Sequence, residues 1–194
     1  MSSNLAYQPD NQEKRCEELI DGEAVMMSPR PSVNHTLVSS NIGYIFEQYL
    51  RGKKCKPFSD GIDLYLDENN HFVPDFMVVC DRNKIKWNGV YGAPDLVAEV
   101  LSPGTAKNDR SRKKDAYERG GVPEYWIVNP SEMSVEVYLL QNGQYELDNV
   151  YTLYPAWQLE DMTDEEKAEL ITEFRCHLYD DLTIRLDDIF YDLL

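Results

Sequence analysis

The segment from Pro94 to Pro130 constrains the fold more than any other part of this 194-residue chain. Residues 95–101 form an apolar run typical of a strand, and residues 109–119 form a basic helix that Gly120-Gly121 ends. Residues 125–128 then return as a second apolar strand. Two strands joined through a helix favour a βαβ crossover with parallel pairing. The segment therefore predicts an α/β protein.

Patterns on both sides extend this architecture. Apolar residues recur at helical spacing between 38 and 49, which predicts a helix that begins at Ser32 or Asn34 and ends near Leu50. The remaining predictions are a short helix end, an Asp21-Gly22 turn and a strand over 17–27, a hairpin of 62–66 with 72–79, a loop at 81–92, a hairpin of 135–140 with 145–154, and an acidic helix at 163–174. Together they predict a mixed sheet flanked by helices.

Length and composition indicate one domain. A chain of 194 residues can bury a full core, and 42% hydrophobic with 28% charged residues is typical of a globular protein. We expect a flexible tail at 1–14 and a single domain at 15–194. No apolar run approaches the ~20 residues of a membrane span. The four cysteines show no CxxC spacing, which predicts reduced thiols in a cytoplasmic protein.

The net charge of −16 argues against a nucleic-acid partner, but the charge is unevenly spread. Residues 131–194 hold 3 Lys and Arg against 16 Asp and Glu, so the acidic excess lies mainly in the last third. Residues 107–119 hold six basic residues against three acids. Two interpretations stay open for such basic clusters, a solvated surface and a patch that faces phosphates.

Carboxylates lie within or beside the apolar strands. Asp95 and Glu99 share one face of their strand because side chains alternate with period two, and Asp75 lies in the run Val73–Val79. Burying a carboxylate without a partner is costly, so each needs a cation, a metal or water. Oxygen ligands of this kind suit Mg²⁺, which polarises a phosphate and lowers the pKa of a bound water.

The helix after the second of these strands supplies a cation. Lys113 and Tyr117 are four residues apart and therefore share a helix face, from which the ammonium could orient an attacking water or neutralise charge in a transition state. A purely structural interpretation stays open beside this one. In it, Asp75 and Asp95 mark strand starts, and Glu99 pairs with Lys113 or an arginine.

At these residues the chain resembles a known family. The runs DGEAVMMSPRPSVNH, VPDFMVV, PDLVAEVLSPGT, GVPEYWIVNP and LTIRLDDIF, with the helix Asp109-x-x-x-Lys113-x-x-x-Tyr117, resemble the Uma family of restriction-endonuclease-like proteins in the PD-(D/E)XK nuclease superfamily. The likeness covers about residues 15–190, and 94–130 is its most specific part. It implies a restriction-endonuclease-like α/β fold in a single domain. It also implies Mg²⁺-dependent cleavage of DNA phosphodiester bonds, with Mn²⁺ as an alternative ion.

The resemblance also assigns roles to individual residues. Asp75 matches the first acid of the motif and Glu99 the second, while Leu101 stands where the motif has its lysine. Lys113 then corresponds to a lysine that has migrated to the following helix. The prediction is that Asp75, Glu99 and Lys113 are catalytic. The expected Mg²⁺ ligands are Asp75 and Glu99, with Asp95 or Glu23 through water. His35 also matches the family pattern, without an assigned role.

The expected partners are DNA and a second copy of the chain, with no membrane. DNA contacts are predicted for the basic helix, at Lys107, Arg110, Arg112 and Lys114. Two other functions stay open. One is a nuclease-fold module that binds or regulates without cutting. The other is an acidic protein-interaction module, whose DNA binding would hardly depend on salt, whereas phosphate binding falls steeply with salt.

Overall fold

The structure is a computed structural model that describes residues 17–26, 30–59 and 61–194. The tail predicted at 1–14 lies outside these residues. Within the described ranges, no helix combines the length and apolar character that crossing a membrane requires. The predicted α/β class with a mixed sheet and flanking helices is confirmed, because strands in parallel and antiparallel pairs alternate with helices along the chain.

Fourteen strands are present in the described residues. They are β1 (Glu17–Ile20), β2 (Glu23–Met26), β3 (Lys56–Ser59), β4 (Leu64–Tyr65), β5 (His71–Phe72), β6 (Phe76–Val79), β7 (Ile85–Lys86), β8 (Gly89–Tyr91), β9 (Leu96–Val100), β10 (Glu124–Asn129), β11 (Ser134–Gln141), β12 (Gln144–Thr152), β13 (Glu173–Arg175) and β14 (Thr183–Arg185).

The helices are α1 (Val33–Leu50), α2 (Ala106–Asn108), α3 (Lys114–Gly120), α4 (Ala156–Glu160), α5 (Asp164–Ala168) and α6 (Leu186–Ile189). A π-helical turn, Asp109–Lys113, joins α2 to α3, so residues 106–120 form one continuous helical segment. A 3₁₀ turn covers Arg82–Lys84. Ser32 caps α1 by accepting a hydrogen bond from the backbone N–H of His35 at 3.2 Å, as one of the two predicted starts required.

The main sheet has the order β12-β11-β10-β9-β6-β3. The predicted crossover is confirmed, because β9 and β10 pair in parallel and the helical segment 106–120 connects them. The remaining neighbours are antiparallel. Every residue of β9 is buried, as expected for a strand with neighbours on both edges and packed layers on both faces.

A second sheet, in the order β2-β1-β5-β4-β8-β7, was not predicted as a unit. The predicted hairpin partner at 72–79 is wrong as one strand. Its first residue belongs to β5 in this sheet, and its second half is β6 in the main sheet. Pro74 lies at the break, since proline cannot donate to a sheet ladder. Residues 17–20 form a strand instead of a helix end, and the loop predicted at 81–92 contains the hairpin β7–β8.

Two apolar cores cover the two faces of the main sheet. The first packs α1 and the C-terminal elements against the sheet, with Phe46 and Trp126 buried at its centre. The second packs the helical segment and the second sheet on the opposite face, around Tyr117 and Tyr125.

The acidic helix predicted at 163–174 is wrong in extent, because α5 ends at Ala168 and the chain continues to strand β13.

The predicted reduced state of the cysteines is wrong for one pair. Cys55 and Cys80 form a disulfide. Their strands explain it: Lys56 pairs with Val79 in the antiparallel β3–β6 ladder, so the next residues outward, Cys55 and Cys80, lie opposite one another. Cys176 is a free, buried thiol.

A buried glutamate attaches the C-terminal segment to the main sheet. Glu124 on β10 accepts hydrogen bonds from Trp126 Nε1 at 2.8 Å and from the backbone N–H groups of His177 at 3.3 Å and Leu178 at 3.0 Å. Hydrogen bonds to an ionised carboxylate are stronger than neutral ones. Burial nevertheless raises the pKa of Glu124, and these donors oppose the rise.

Glu124→Ala should therefore lower the free energy of unfolding by about 3 kcal/mol, because three donors lose their acceptor in a dry environment. Urea denaturation followed by circular dichroism measures this loss. Glu146→Ala, at an exposed position on β12, is the matched control and should change the unfolding free energy by less than about 0.5 kcal/mol. Equal losses in the two variants would contradict the anchoring role of Glu124.

Candidate active site

Lys113 lies at the centre of a buried cluster of acids. Its Nζ is 2.8 Å from Glu99 Oε1, 3.0 Å from Glu18 Oε1 and 3.6 Å from Asp109 Oδ1. The lysine side chain is only 5% exposed. One ammonium is thus shared by three carboxylates that come from β1, β9 and the helical segment. We call Glu18, Asp75, Glu99, Asp109 and Lys113 the acidic cluster.

Strand pairing brings Asp75 to this cluster. Phe76 on β6 pairs with Ala98 on β9 in an antiparallel ladder, so the next pair is Asp75 opposite Glu99. Side chains opposite each other on one face have Cβ atoms about 5 Å apart. Asp75 Oδ2 accepts a hydrogen bond from the backbone N–H of Val100 at 2.7 Å and lies 3.3 Å from His35 Nε2.

The π-helical turn explains why Asp109 and Lys113 are both buried. A π turn adds a residue to the helical repeat, and such turns occur frequently at functional sites. Here Asp109 and Lys113 are its first and last residues, and both point into the core. One helical turn further on, Tyr117 donates a hydrogen bond from its hydroxyl to Glu99 Oε1 at 2.8 Å. The helical segment therefore delivers a cation and a donor to the same carboxylate oxygen.

Sequence reasoning missed Glu18 and gave Asp109 no role beyond its place in the helix motif. Besides contacting Lys113, Glu18 Oε1 accepts a hydrogen bond from the backbone N–H of Val73 at 3.2 Å. The signal was the Asp21-Gly22 turn, because a two-residue turn of this type favours strands on both sides. A strand over 17–20 would have placed Glu18 on the same face as the apolar Ile20, and hence towards the core.

Burial and charge shift the pKa values in the cluster. Burial raises the pKa of Glu99 well above its usual range, and the nearby Lys113 opposes this only in part. The pKa of Asp109 is raised for the same reason. Burial alone would lower the pKa of Lys113, but the carboxylates of Glu99, Glu18 and Asp109 together raise it well above its usual value. Lys113 is therefore a permanent cation at neutral pH.

The structure does not bring the two predicted auxiliary ligands to the cluster. Glu23 lies on β2, the outermost strand of its sheet, where it is 75% exposed and pairs with Arg112 at 2.9 Å. Asp95 lies four residues before Glu99, about 13 Å away along the strand at ~3.3 Å per residue. Its Oδ2 accepts a hydrogen bond from the backbone N–H of Cys80 at 2.7 Å. The predicted link of either acid to an ion through water stays a prediction.

The four predicted DNA contacts lie along the helical segment, and Lys107 among them is exposed. The other three already have partners within the chain. Arg110 Nη2 is 2.6 Å from Glu136 Oε1, Arg112 Nη2 is 2.9 Å from Glu23 Oε2, and Lys114 Nζ is 4.0 Å from the ring centre of Tyr138. The two arginines would have to exchange a carboxylate for a phosphate in order to bind DNA.

The acidic cluster is not a dense ligand cage for a metal ion. Among the residues that the structure describes, no three His, Cys, Asp or Glu side chains are arranged to hold a metal ion together. Mg²⁺ commonly uses only one or two carboxylates and keeps several waters. Asp75 and Glu99 are two carboxylates that strand register places opposite each other. Asp109 Oδ1 is buried without a hydrogen bond in the described structure, and its polar neighbour is the Lys113 ammonium at 3.6 Å.

Lys113→Met should destabilise the fold by roughly 3–5 kcal/mol at neutral pH, because buried acids lose their common cation. When folding raises the pKa of an acid, the free energy of unfolding falls as the pH rises, because the folded state retains a proton that the unfolded state has released. The deficit should therefore shrink as the pH falls towards ~4, where free glutamates protonate. Urea denaturation across this pH range measures it.

Lys114→Met is the matched control, because Lys114 contacts the ring of Tyr138 instead of the acids. It should change stability by less than about 1 kcal/mol, with no pH trend. A pH-independent deficit in Lys113→Met would show that lost packing, and not unpaired acids, causes the destabilisation.

Known proteins share both the sequence and the fold of this chain. An uncharacterized protein of Synechocystis sp. is 27% identical over 135 residues, which cover 68% of this chain and 76% of that protein. The fold matches the crystal structure of a "putative nuclease belonging to DUF820" from Anabaena variabilis with a TM-score of 0.66, 19% identity and 92% coverage of each chain. Residues 3–168 match the Uma2 family, described as "Putative restriction endonuclease". The match spans most of the chain, so this protein belongs to the Uma2 family.

Proposed function

We propose that this protein is a metal-dependent DNA endonuclease that hydrolyses phosphodiester bonds. The observation that carries the proposal is the contact of Lys113 with Glu99 at 2.8 Å. Glu99 lies on β9, and the strand register places Asp75 opposite it. Membership in a family described as restriction endonucleases and a fold shared with a protein described as a nuclease support it. We propose DNA as the substrate and a homodimer as the working assembly.

The metal would be held by Asp75 and Glu99, in line with the preference of Mg²⁺ for carboxylate oxygens. When bound, such an ion activates water and stabilises charge on the phosphate. His35 lies 3.3 Å from Asp75 Oδ2 and restricts the orientation of that carboxylate. Tyr117 does the same for Glu99 through its hydroxyl, at 2.8 Å.

Lys113 acts in this proposal as a fixed positive charge and not as a general base. Its pKa is raised well above the usual value by three surrounding carboxylates, so it has no tendency to release a proton near neutral pH. A preorganised cation in a dry site stabilises developing negative charge strongly. The lysine therefore takes over the role of the motif lysine that Leu101 cannot fill. Glu18, at 3.0 Å, holds the ammonium in place.

A second candidate function is a nuclease-fold module that binds DNA without cutting it. Two observations favour it. Leu101 replaces the motif lysine, and the described residues contain no group of three metal-binding side chains. Both functions share the fold and a DNA partner, so only a cleavage assay separates them.

The decisive experiment follows supercoiled plasmid in Mg²⁺, in Mn²⁺ and in EDTA. We expect nicking or linearisation with either metal and none with EDTA. Asp75→Asn and Glu99→Gln should each reduce the rate by at least about 100-fold, because each removes one ligand charge with little change of shape. Gel electrophoresis of timed samples gives the rates.

The matched controls are Asp95→Asn and Glu23→Gln, which alter the two predicted auxiliary ligands that lie outside the acidic cluster. Both should retain most of the cleavage rate. Loss of activity in a control together with retention in Glu99→Gln would contradict the assignment of the site. Purified protein that never cuts with either metal, yet binds DNA, would support the second candidate.

Metal binding has its own test in isothermal titration calorimetry without DNA. Mg²⁺ should bind the unmodified protein, and Glu99→Gln should reduce the affinity by at least tenfold because one of two charged ligands is lost. Thermal denaturation establishes that the variant is folded. Unchanged Mg²⁺ affinity in Glu99→Gln would exclude Glu99 as a ligand, whatever the cleavage result.

A further inference from the structure

The outer face of the second sheet carries a row of large side chains. Leu19 on β1 pairs with His71 on β5, His71 pairs with Tyr65 on β4, and Tyr65 pairs with Tyr91 on β8. Their strand neighbours, among them Ile20, Leu64, Phe72 and Val90, are fully buried in the second core. Because side chains alternate along a strand, the row faces away from that core. We call the row of Leu19, His71, Tyr65 and Tyr91 the aromatic row, after its three rings.

Three of these side chains form a continuous stack. The rings of Tyr65 and His71 are 4.4 Å apart with an interplanar angle of 8°, and those of Tyr65 and Tyr91 are 4.6 Å apart at 18°. His71 Nε2 is also held by Asp63 Oδ1 at 2.8 Å. Tyr91, at the end of the row, is 41% exposed. The stack is therefore preorganised, and it ends in a ring that solvent reaches.

The hairpin β7–β8 extends this surface with an exposed tryptophan. Trp87, in the turn, is 97% exposed, the highest value among the large apolar residues of the described chain. The next residue, Asn88, donates a hydrogen bond from Nδ2 to the hydroxyl of Tyr91 at 2.9 Å. Gly89 permits this arrangement, because a Cβ there would lie 2.5 Å from the Asp63 carbonyl oxygen and 3.1 Å from the Tyr65 ring. The turn is thus fixed beside the aromatic row.

The hairpin segment itself carries only positive charge, although Asp63 and Asp81 lie next to it. Residues 82–92 contain Arg82, Lys84 and Lys86 and no acid. Arg82 Nε donates a hydrogen bond to the carbonyl oxygen of Lys54 at 2.7 Å, which joins the hairpin to the basic segment 51–56. Among the described residues, neither Arg82 nor Lys86 pairs with a carboxylate. These cations are available to phosphates, unlike Arg110 and Arg112 of the helical segment.

We infer that Trp87 and the aromatic row form a docking surface for an unpaired nucleic-acid strand. Aromatic side chains stack with bases of any sequence, and neighbouring cations follow the phosphate backbone. A rigid stack flanked by unpaired cations supplies both parts, and the positive charge complements a polyanion. The inference deepens the proposed function, on which it rests, by naming the form of nucleic acid that the protein holds.

The docking surface and the acidic cluster lie on opposite faces of one sheet. Leu19 belongs to the row, whereas the preceding residue, Glu18, reaches Lys113 on the inner side. Tyr91 contacts Tyr65 and Asn88, neither of which belongs to the acidic cluster. Substitutions on the outer face can therefore remove docking without altering the candidate active site.

The test measures binding by fluorescence anisotropy in EDTA, so that no probe is cut. One probe is a labelled single-stranded oligothymidylate of about 12 nucleotides, and the other is an abasic strand of equal length and charge. Trp87→Ala and Tyr91→Ala should each weaken oligothymidylate binding about 5-fold to 100-fold, the range for loss of one base stack. Neither should alter the weaker binding of the abasic strand. Trp157→Ala, at a 65% exposed position on α4, is the matched control and should change neither.

The inference would be overturned if all three variants bound oligothymidylate with the affinity of the unmodified protein. It would also be overturned by a dimer, seen by sedimentation velocity, that Trp87→Ala dissociates, because the surface would then join two copies of the chain. The outcome is independent of cleavage. Lost docking in a protein that never cuts DNA would support this surface while the proposed nuclease function fails. If the unmodified protein cuts DNA and the Trp87 and Tyr91 variants bind oligothymidylate as well as it does, the nuclease function stands and the docking surface fails.

Discussion

The contact between Lys113 and Glu99 is the interaction on which the rest of the site depends. Three carboxylates surround this ammonium, and each would be costly to bury without it. The pair also joins the crossover helix to strand β9 of the main sheet, and Tyr117 adds a second link by donating to the same Glu99 oxygen. Replacing such a group with well-packed apolar residues often stabilises a protein.

The architecture around the pair explains how so much charge is accommodated. The cluster lies where the helical segment, the second sheet and the main sheet meet, so donors reach it from three directions. Backbone N–H groups of Val73 and Val100 satisfy Glu18 and Asp75, at 3.2 Å and 2.7 Å. Asp109 Oδ1 remains without such a donor. The cluster thus combines four acids with one lysine, and burial raises the pKa of two of these acids, Glu99 and Asp109.

The central part of the fold could be predicted because its signals are local. The βαβ unit follows from two apolar runs around an amphipathic helix, and the crossover it predicts is present. The second sheet escaped prediction because its strands are short; β4 and β5 have two residues each, too few for periodicity. The Cys55–Cys80 bond escaped for a related reason, since it depends on the β3–β6 register and not on cysteine spacing.

The sequence by itself determined the α/β class, the parallel crossover and the shared face of Lys113 and Tyr117, because alternation and helical spacing fix which side chains share a face. Only the tertiary structure decided which acids meet the lysine. It selected Glu18 and Asp109, left Glu23 on an edge strand and kept Asp95 a strand's length from Glu99. The physical reason is that the partners of a buried charge are chosen by strand register and long-range packing, and neither leaves a periodic signal along the chain.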